Sequence, residues 1–196
     1  MPTTPTPVPT GDRSAAPGQL ELIRQFVNTA EFDPDEDELT DLDALRRWLR
    51  RRRLIDARVK LEDGDVERAV TVREAIRALL ERPDGGPPAA AVRALNDVPE
   101  GALMRVAFDR DGLPSLRPAA AGGLAVAFAE LFAIIERASI DGTWQRLRVC
   151  ADGGCRWAFY DSSKNRSRSW CNMAVCGNRA KAREYRRRRR GDGDAR

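Results

Sequence analysis

Apolar residues recur at helical spacing through most of the chain, give way once to strand-like alternation, and then yield to a cysteine-rich basic segment. From Gln19 to Thr29, Leu20, Leu22, Ile23, Phe26 and Val27 fit one helical face. Thr40 or Asp41 supplies the N-cap of a second helix that carries Leu42, Leu45, Trp48 and Leu49 on one side. Arg50 to Arg53 read as its solvated end, with cations complementing the negative pole of the helix. A third helix opens at Gly64 or Asp65 and continues through Val66, Ala69, Val72, Ile76, Leu79 and Leu80 until the breakers between Pro83 and Pro88 stop it. A short helix fits Ala89 to Asn96. The stretch Ala102 to Phe108, a turn at Asp109 to Gly112, and Leu113 to Leu116 predict a hairpin whose second strand Pro114 confines to an edge. Ala119 to Ala138 is nearly all apolar and reads as a long buried helix.

Two segments fall outside this pattern. Residues 1–17, rich in Pro and Thr, hold too little apolar content to pack and read as a disordered leader. Glu31 to Glu38 reads as a solvated acidic loop. It does not fit a calcium loop: with Asp33 as first ligand, Glu38 stands where the turn glycine belongs and Ala44 where the bidentate glutamate belongs.

A chain of 196 residues accommodates one ordinary domain and a small appended module. The net charge of +4 conceals a division. Residues 1–145 hold 19 Arg/Lys against 25 Asp/Glu, a balance of −6, whereas residues 146–190 hold 14 against 3, a balance of +11. Such a basic segment is an electrostatic footprint for polyanions. Its candidate phosphate contacts are Lys164, Arg166, Arg168, Arg179, Lys181, Arg183, Arg186 and Arg187, within a run that continues to Arg190. The chain has no histidine, the commonest general base, and no Walker loop, so no enzyme is expected. No apolar run reaches the roughly 18 residues of a membrane span. The N-terminus also lacks the basic start and apolar stretch of a secretory signal, which predicts a cytoplasmic protein with no membrane partner.

All four cysteines lie in the basic segment, as the pairs Cys150/Cys155 and Cys171/Cys176. Two short loops that each supply two sulfurs suit a tetrahedral metal with bonds of about 2.3 Å. The absence of histidine excludes mixed ligation. In a reducing compartment this spacing favours one structural Zn²⁺ held by Cys150, Cys155, Cys171 and Cys176. An iron-sulfur centre is the competing metal and a pair of disulfides the competing covalent arrangement. Trp157, Phe159 and Trp170 are expected to pack around the site, and Asp161 to orient Lys164 or Arg166. Asn178 is expected to cap a basic helix, with Arg179 facing either phosphate or the core.

The residues Arg148-Val149-Cys150, Cys155-Arg156-Trp157-Ala158-Phe159-Tyr160-Asp161, Trp170-Cys171-Asn172-Met173 and Cys176-Gly177-Asn178-Arg179 resemble the CGNR zinc finger, its named tetrapeptide intact. More loosely, Phe26-Val27-Asn28-Thr29, the block from Asp41 to Leu49 with Trp48, and Val72-Arg73-Glu74-Ala75-Ile76 resemble the ABATE domain that accompanies this finger in bacteria. The resemblance implies a stress-linked transcription regulator, with RNA binding also suggested for the zinc part.

The expected fold class is α+β. A mainly helical ABATE-like domain with a small β-hairpin occupies residues 18–142, and a separate small zinc finger with four cysteine ligands and a basic C-terminal helix occupies 146–189, ahead of a tail at 190–196. The expected function is a regulator whose finger contacts DNA, while the N-terminal domain senses a small-molecule effector or mediates oligomer assembly. RNA binding, with Trp157, Tyr160 and Trp170 stacking on bases, and a protein-docking finger are the alternatives.

Overall fold

The computed structural model describes residues 15–32, 35–82, 85–97, 102, 104–119 and 123–191. The fold is α+β and mainly helical. Its elements are α1 (Leu20–Val27), β1 (Ala30–Phe32), β2 (Asp35–Asp37), α2 (Leu42–Arg51), α3 (Asp65–Glu81), α4 (Ala89–Asp97), β3 (Met104–Phe108), β4 (Pro114–Pro118), α5 (Gly123–Ile140), β5 (Leu147–Val149), β6 (Ala158–Tyr160) and α6 (Asn178–Gly191). The strands form three separate two-stranded antiparallel hairpins, β1–β2, β3–β4 and β5–β6. No helix among the described residues is long and apolar enough to cross a membrane.

Helix α1 sits at the centre and packs against α3, α5 and β6. Its Leu20, Ile23, Phe26 and Val27 are buried, and the Phe26 ring lies 5.3 Å from that of Trp48 on α2. Asp41 caps α2 by accepting from the Ala44 amide at 2.8 Å. Gly64 begins α3 with a left-handed φ of 89°, a conformation open to glycine.

Three local expectations change, and one larger one. Ala16 is buried in the main core, and its amide donates to Glu21 Oε2 at 2.7 Å, so residues 15–17 belong to the fold; residues 1–14 of the expected leader lie outside the described residues. The acidic segment forms the hairpin β1–β2 with register Ala30 to Asp37. Its Asp37 carboxylate takes two hydrogen bonds of 2.7 Å from the buried Arg73 on α3, and burial is outweighed by those bonds, so its carboxyl is held below the ordinary range. The basic end of α2 is also less solvated than expected: the Arg52 guanidinium lies 4.1 Å over the Trp48 ring and donates to Gln25 at 3.1 Å.

The largest departure concerns the joint between the two regions. Leu147, Val149 and Ala158 of the β5–β6 hairpin are buried in the same core as α1, α3 and α5. Asn28, at the end of α1, pairs with both backbone groups of Ala158: its Nδ2 donates to the carbonyl at 2.9 Å and its Oδ1 accepts from the amide at 2.7 Å. Arg77 of α3 is fully buried and donates to the carbonyls of Arg156 at 2.7 Å and Val27. Phe32 lies beneath two guanidiniums, those of Arg77 at 4.9 Å and Arg156 at 4.8 Å. The hairpin that starts the cysteine segment is therefore an integral layer of the helical domain.

Replacing Asn28 with Leu removes both bonds and leaves the buried backbone of Ala158 without partners. Each unsatisfied group costs about 1–3 kcal/mol, so urea unfolding of Asn28→Leu should show a loss of about 2–6 kcal/mol. A loss near zero would contradict the seam described above.

Candidate metal centre and basic helix

The four cysteines come from four different backbone settings. Cys150 directly follows β5, and its amide donates to Trp157 O at 2.9 Å across the hairpin. Cys155 closes a tight loop in which the carbonyl of Asp152 accepts from the amides of Cys155 at 2.8 Å and Arg156 at 3.0 Å. Cys171 arrives on a loop pinned beside the first by the Ala151 amide, which donates to Ser169 O at 2.9 Å. Cys176 lies in a π-helical turn, Met173–Gly177, that runs straight into α6.

All four sulfurs are buried and lie within 4.8 Å of one another. Cys155 Sγ is 3.6 Å from Cys171 Sγ, which is 3.7 Å from Cys176 Sγ. A tetrahedron of sulfurs around zinc at about 2.3 Å has edges of about 3.8 Å, so the cradle matches one zinc ion. The separations are far from the roughly 2.05 Å of a disulfide, and the cysteines are free. A multi-iron cluster distributes its thiolates over different irons and needs a wider cradle.

Electrostatics point the same way. The Cys150 thiol is pulled down to about 2 because Cys155 and Cys171 donate to its sulfur, helped by the backbone amides of Cys171 and Asp152. Cys155 is pushed up to about 12 by Cys150, and Cys171 is pushed up further by Cys150 and Cys155. Protons alone thus let one sulfur carry charge at its neighbours' expense, a conflict that a divalent cation removes by taking thiolates together. Around the sulfurs pack Phe159, fully buried, with Trp157, Trp170 and Val175 partly buried.

The structure places the expected contact residues in three groups. Lys164 and Arg166 are exposed on the loop between the cysteine pairs, and Lys181, Arg186 and Arg187 are exposed on α6. Arg187 also pairs with Glu184 one turn away at 2.5 Å. Arg168 turns inward, its guanidinium 5.2 Å over the Phe159 ring and bonded to the carbonyls of Trp170 and Cys171. Arg179 and Arg183 converge on one carboxylate, that of Asp152. Arg179 Nε lies 3.0 Å from Asp152 Oδ2, and Arg183 donates to Asp152 Oδ1 at 2.9 Å. Arg179 also reaches Cys176 Sγ at 3.5 Å.

The sequence places Asp152 in the turn before Cys155 but does not foretell its pairing with α6. It is 1% exposed and stands inside the first cysteine loop, so one residue shapes the metal loop through its carbonyl and anchors α6 through its carboxylate. The available signal was an acid in a segment with only three. Asp161, another of the three, does not orient Lys164 or Arg166. It is fully buried and accepts from the amides of Ser163 at 2.9 Å and Arg168 at 3.0 Å, so it shapes the loop backbone instead. The helix cap also differs: Asn172 accepts from the Val175 amide at 3.2 Å, while Asn178 already lies in helical geometry and donates to Ala174 O at 2.9 Å. The helical turn begins five residues before the start read from the sequence because Cys176 sits inside it.

Residues 146–189 match the family model of the CGNR zinc finger. Residues 20–138 match that of the ABATE domain, described as "Putative stress-induced transcription regulator". No curated protein matches the chain.

Cys176→Ser should abolish the stoichiometric zinc found by elemental analysis of the purified wild type. Far-UV circular dichroism should then lose the α6 signal while the α1–α5 signal stays, because the β5–β6 hairpin is held by the helical core. Asp152→Ala should keep the ligands but weaken zinc binding by about 10–100-fold in chelator competition, the usual effect of removing a partner that supports a metal ligand. An unchanged zinc affinity would show that the Arg179–Asp152 contact is independent of the metal.

Proposed function

Because the chain belongs to the ABATE family and carries a CGNR zinc finger, we propose that it is a zinc-dependent transcription regulator whose finger binds duplex DNA through its phosphate backbone. The observation that carries this reading is the arrangement of exposed cations on two neighbouring elements fixed by the metal: Lys181, Arg186 and Arg187 on α6, and Lys164 and Arg166 on the loop between the ligand pairs. Zinc sets the start of α6 through Cys176, and Asp152 sets its direction through Arg179 and Arg183. Phosphate contacts of this kind position a protein on DNA without reading sequence. Arginine's planar fork suits phosphate geometry, and lysine acts as a point charge.

Packing supports duplex DNA over unpaired RNA. Base stacking needs free aromatic faces. Trp157 lies against the sulfur cluster and Tyr160 packs against the main core, which leaves Trp170, beside Tyr185 on α6, as the one of the three open to a cleft. For the N-terminal domain we propose effector sensing. In support of it, a cleft of about 570 Å³ lies between α3, α4 and α5, with Lys60, Asp65, Arg68 and Asp97 around an apolar floor of Leu124 and Phe128.

About five phosphate contacts imply a slope of log K against log salt near −4.5, and an affinity for mixed-sequence duplex that falls by a few hundredfold between about 50 and 200 mM salt. Fluorescence anisotropy across a salt series measures both. Affinity that ignores salt, or a preference for single-stranded RNA over duplex in competition, would overturn the DNA reading.

A further inference from the structure

We infer that the DNA-facing surface extends from the finger onto the helical domain, where Arg82 joins Arg148 and Arg166 of the finger in one phosphate-binding patch at the seam of the two regions. This rests on the nucleic-acid reading above.

Arg82 follows α3 directly. Its backbone takes the left-handed conformation, φ 47° and ψ 60°, which turns the side chain toward the hairpin. There its guanidinium donates to the carbonyls of Trp144 at 2.8 Å and Leu147 at 3.4 Å. Arg148 is the next residue along β5. Leu147 and Val149 point into the core, so alternation places Arg148 on the opposite face, and it donates to Arg166 O at 3.0 Å. Arg166 is exposed and also left-handed, with φ 51°. Left-handed backbone is uncommon at residues other than glycine, asparagine and aspartate, and here it occurs at two of the three arginines.

No carboxylate of the described residues makes a direct ion pair with this patch, and Asp161 acts on Arg148 only through space, its own carboxyl lowered, against burial, in part by that guanidinium. Among the described residues, no carboxylate lies within ion-pair distance of Arg82, Arg148 or Arg166, whereas Arg24, Arg68, Arg73, Arg77, Arg156, Arg179 and Arg183 each have one. The nearby acids are committed elsewhere: Glu81 pairs with Arg156 at 2.7 Å, and Asp161 is buried beneath the loop and accepts from Ser163 and Arg168. The bond from Arg82 to Leu147 O brings its guanidinium to the residue next to Arg148, and burial and the like charge of Arg148 lower the pKa of Arg82. Carbonyl bonds engage one terminal nitrogen of Arg82 and one of Arg148, so each fork keeps further donors, and the Arg166 side chain is exposed. A dianionic or diester phosphate satisfies that arrangement. Lys164, two residues from Arg166, continues the patch toward the cations of the finger.

The test uses the full-length zinc-loaded protein and a mixed-sequence duplex. Arg82→Gln and Arg148→Gln should each lower the magnitude of the salt slope by about 1, and the double variant by about 2. Arg82→Lys keeps the charge and should retain the slope, which separates phosphate contact from a purely structural loss. It also serves where Arg82→Gln fails to fold. If Lys181→Gln and Arg186→Gln lower the slope while the Arg82 and Arg148 variants leave it unchanged, the patch lies outside the DNA surface and only this inference falls. If the wild type shows no salt-dependent duplex binding, both readings fall. Tight binding of inorganic phosphate that Arg82→Gln abolishes without changing the DNA slope would make the patch a small-anion site and overturn the inference.

Discussion

Four thiols buried within 4.8 Å of one another are the constraint on which the C-terminal third depends. Water cannot solvate them, and each negative sulfur raises the cost of ionising the next. A divalent cation removes that cost and joins four loop segments that have little apolar surface of their own. A zinc centre with four thiolates still keeps net negative charge, so donors collect around it: the amides of Asp152 and Cys171 at Cys150, that of Trp157 at Cys155, and the Arg179 guanidinium at Cys176. Arg179 then needs its own counter-charge, which Asp152 provides. Metal, first loop and basic helix are thereby parts of one electrostatic network, in which the direction of α6 depends on the sulfur site.

The other end of the module is fixed by different physics. Hairpin β5–β6 carries Leu147, Val149 and Ala158 into the main core, a burial that is non-directional and would tolerate sliding. Asn28 and Arg77 remove that freedom. Both backbone groups of Ala158 are spoken for by one side chain, and a one-residue slip would leave buried groups without partners and flip the strand's faces. The finger is thus held at one end by the helical domain and at the other by zinc, and its basic surface has a defined orientation relative to α3.

What the sequence disclosed follows the range of the interactions involved. Helices α1 to α5, the Asp41 cap, the Gly64 start and the β3–β4 hairpin rest on neighbours within a few residues, and periodicity or capping chemistry makes them readable. The four ligands were readable because cysteine in paired spacing has few other uses in a chain without histidine. The aromatic packing around the sulfurs followed from the same proximity. Strands β1 and β2 were hidden because their charged residues suggest solvent, while the partner that makes Asp37 useful is Arg73, 36 residues away. Asn28 finds Ala158 at a separation of 130 residues. Arg77 occupies a helical position where arginine ordinarily reaches solvent, and nothing local marks it as fully buried. The pairing of the acidic Asp152 with α6 was passed over in a segment whose average charge is positive.

That last omission shows why counting charge along a chain misplaces a binding surface. A cation paired with a buried carboxylate contributes little to an external potential, because the low dielectric beneath the surface strengthens that pairing. An exposed pair one turn apart, such as Arg187 with Glu184, is weak and leaves the charge available. Arg179 and Arg183 spend their charge on Asp152, and Arg168 spends its donors on backbone carbonyls. Half-exposed side chains such as Arg183, at 50%, remain visible to solvent yet are poor anchors for phosphate, since contact would first break an ion pair that orients the helix. Conversely, Arg82 lies in a domain whose total charge is negative, and Arg148 sits in the midst of a core-facing strand, so neither attracts notice in a residue count. Among the described residues, however, neither has a carboxylate in ion-pair contact. Two sets of cations therefore have opposite roles, one binding the protein to itself and the other directed outward. The distinction is set by the positions of Asp152, Glu81 and Asp161.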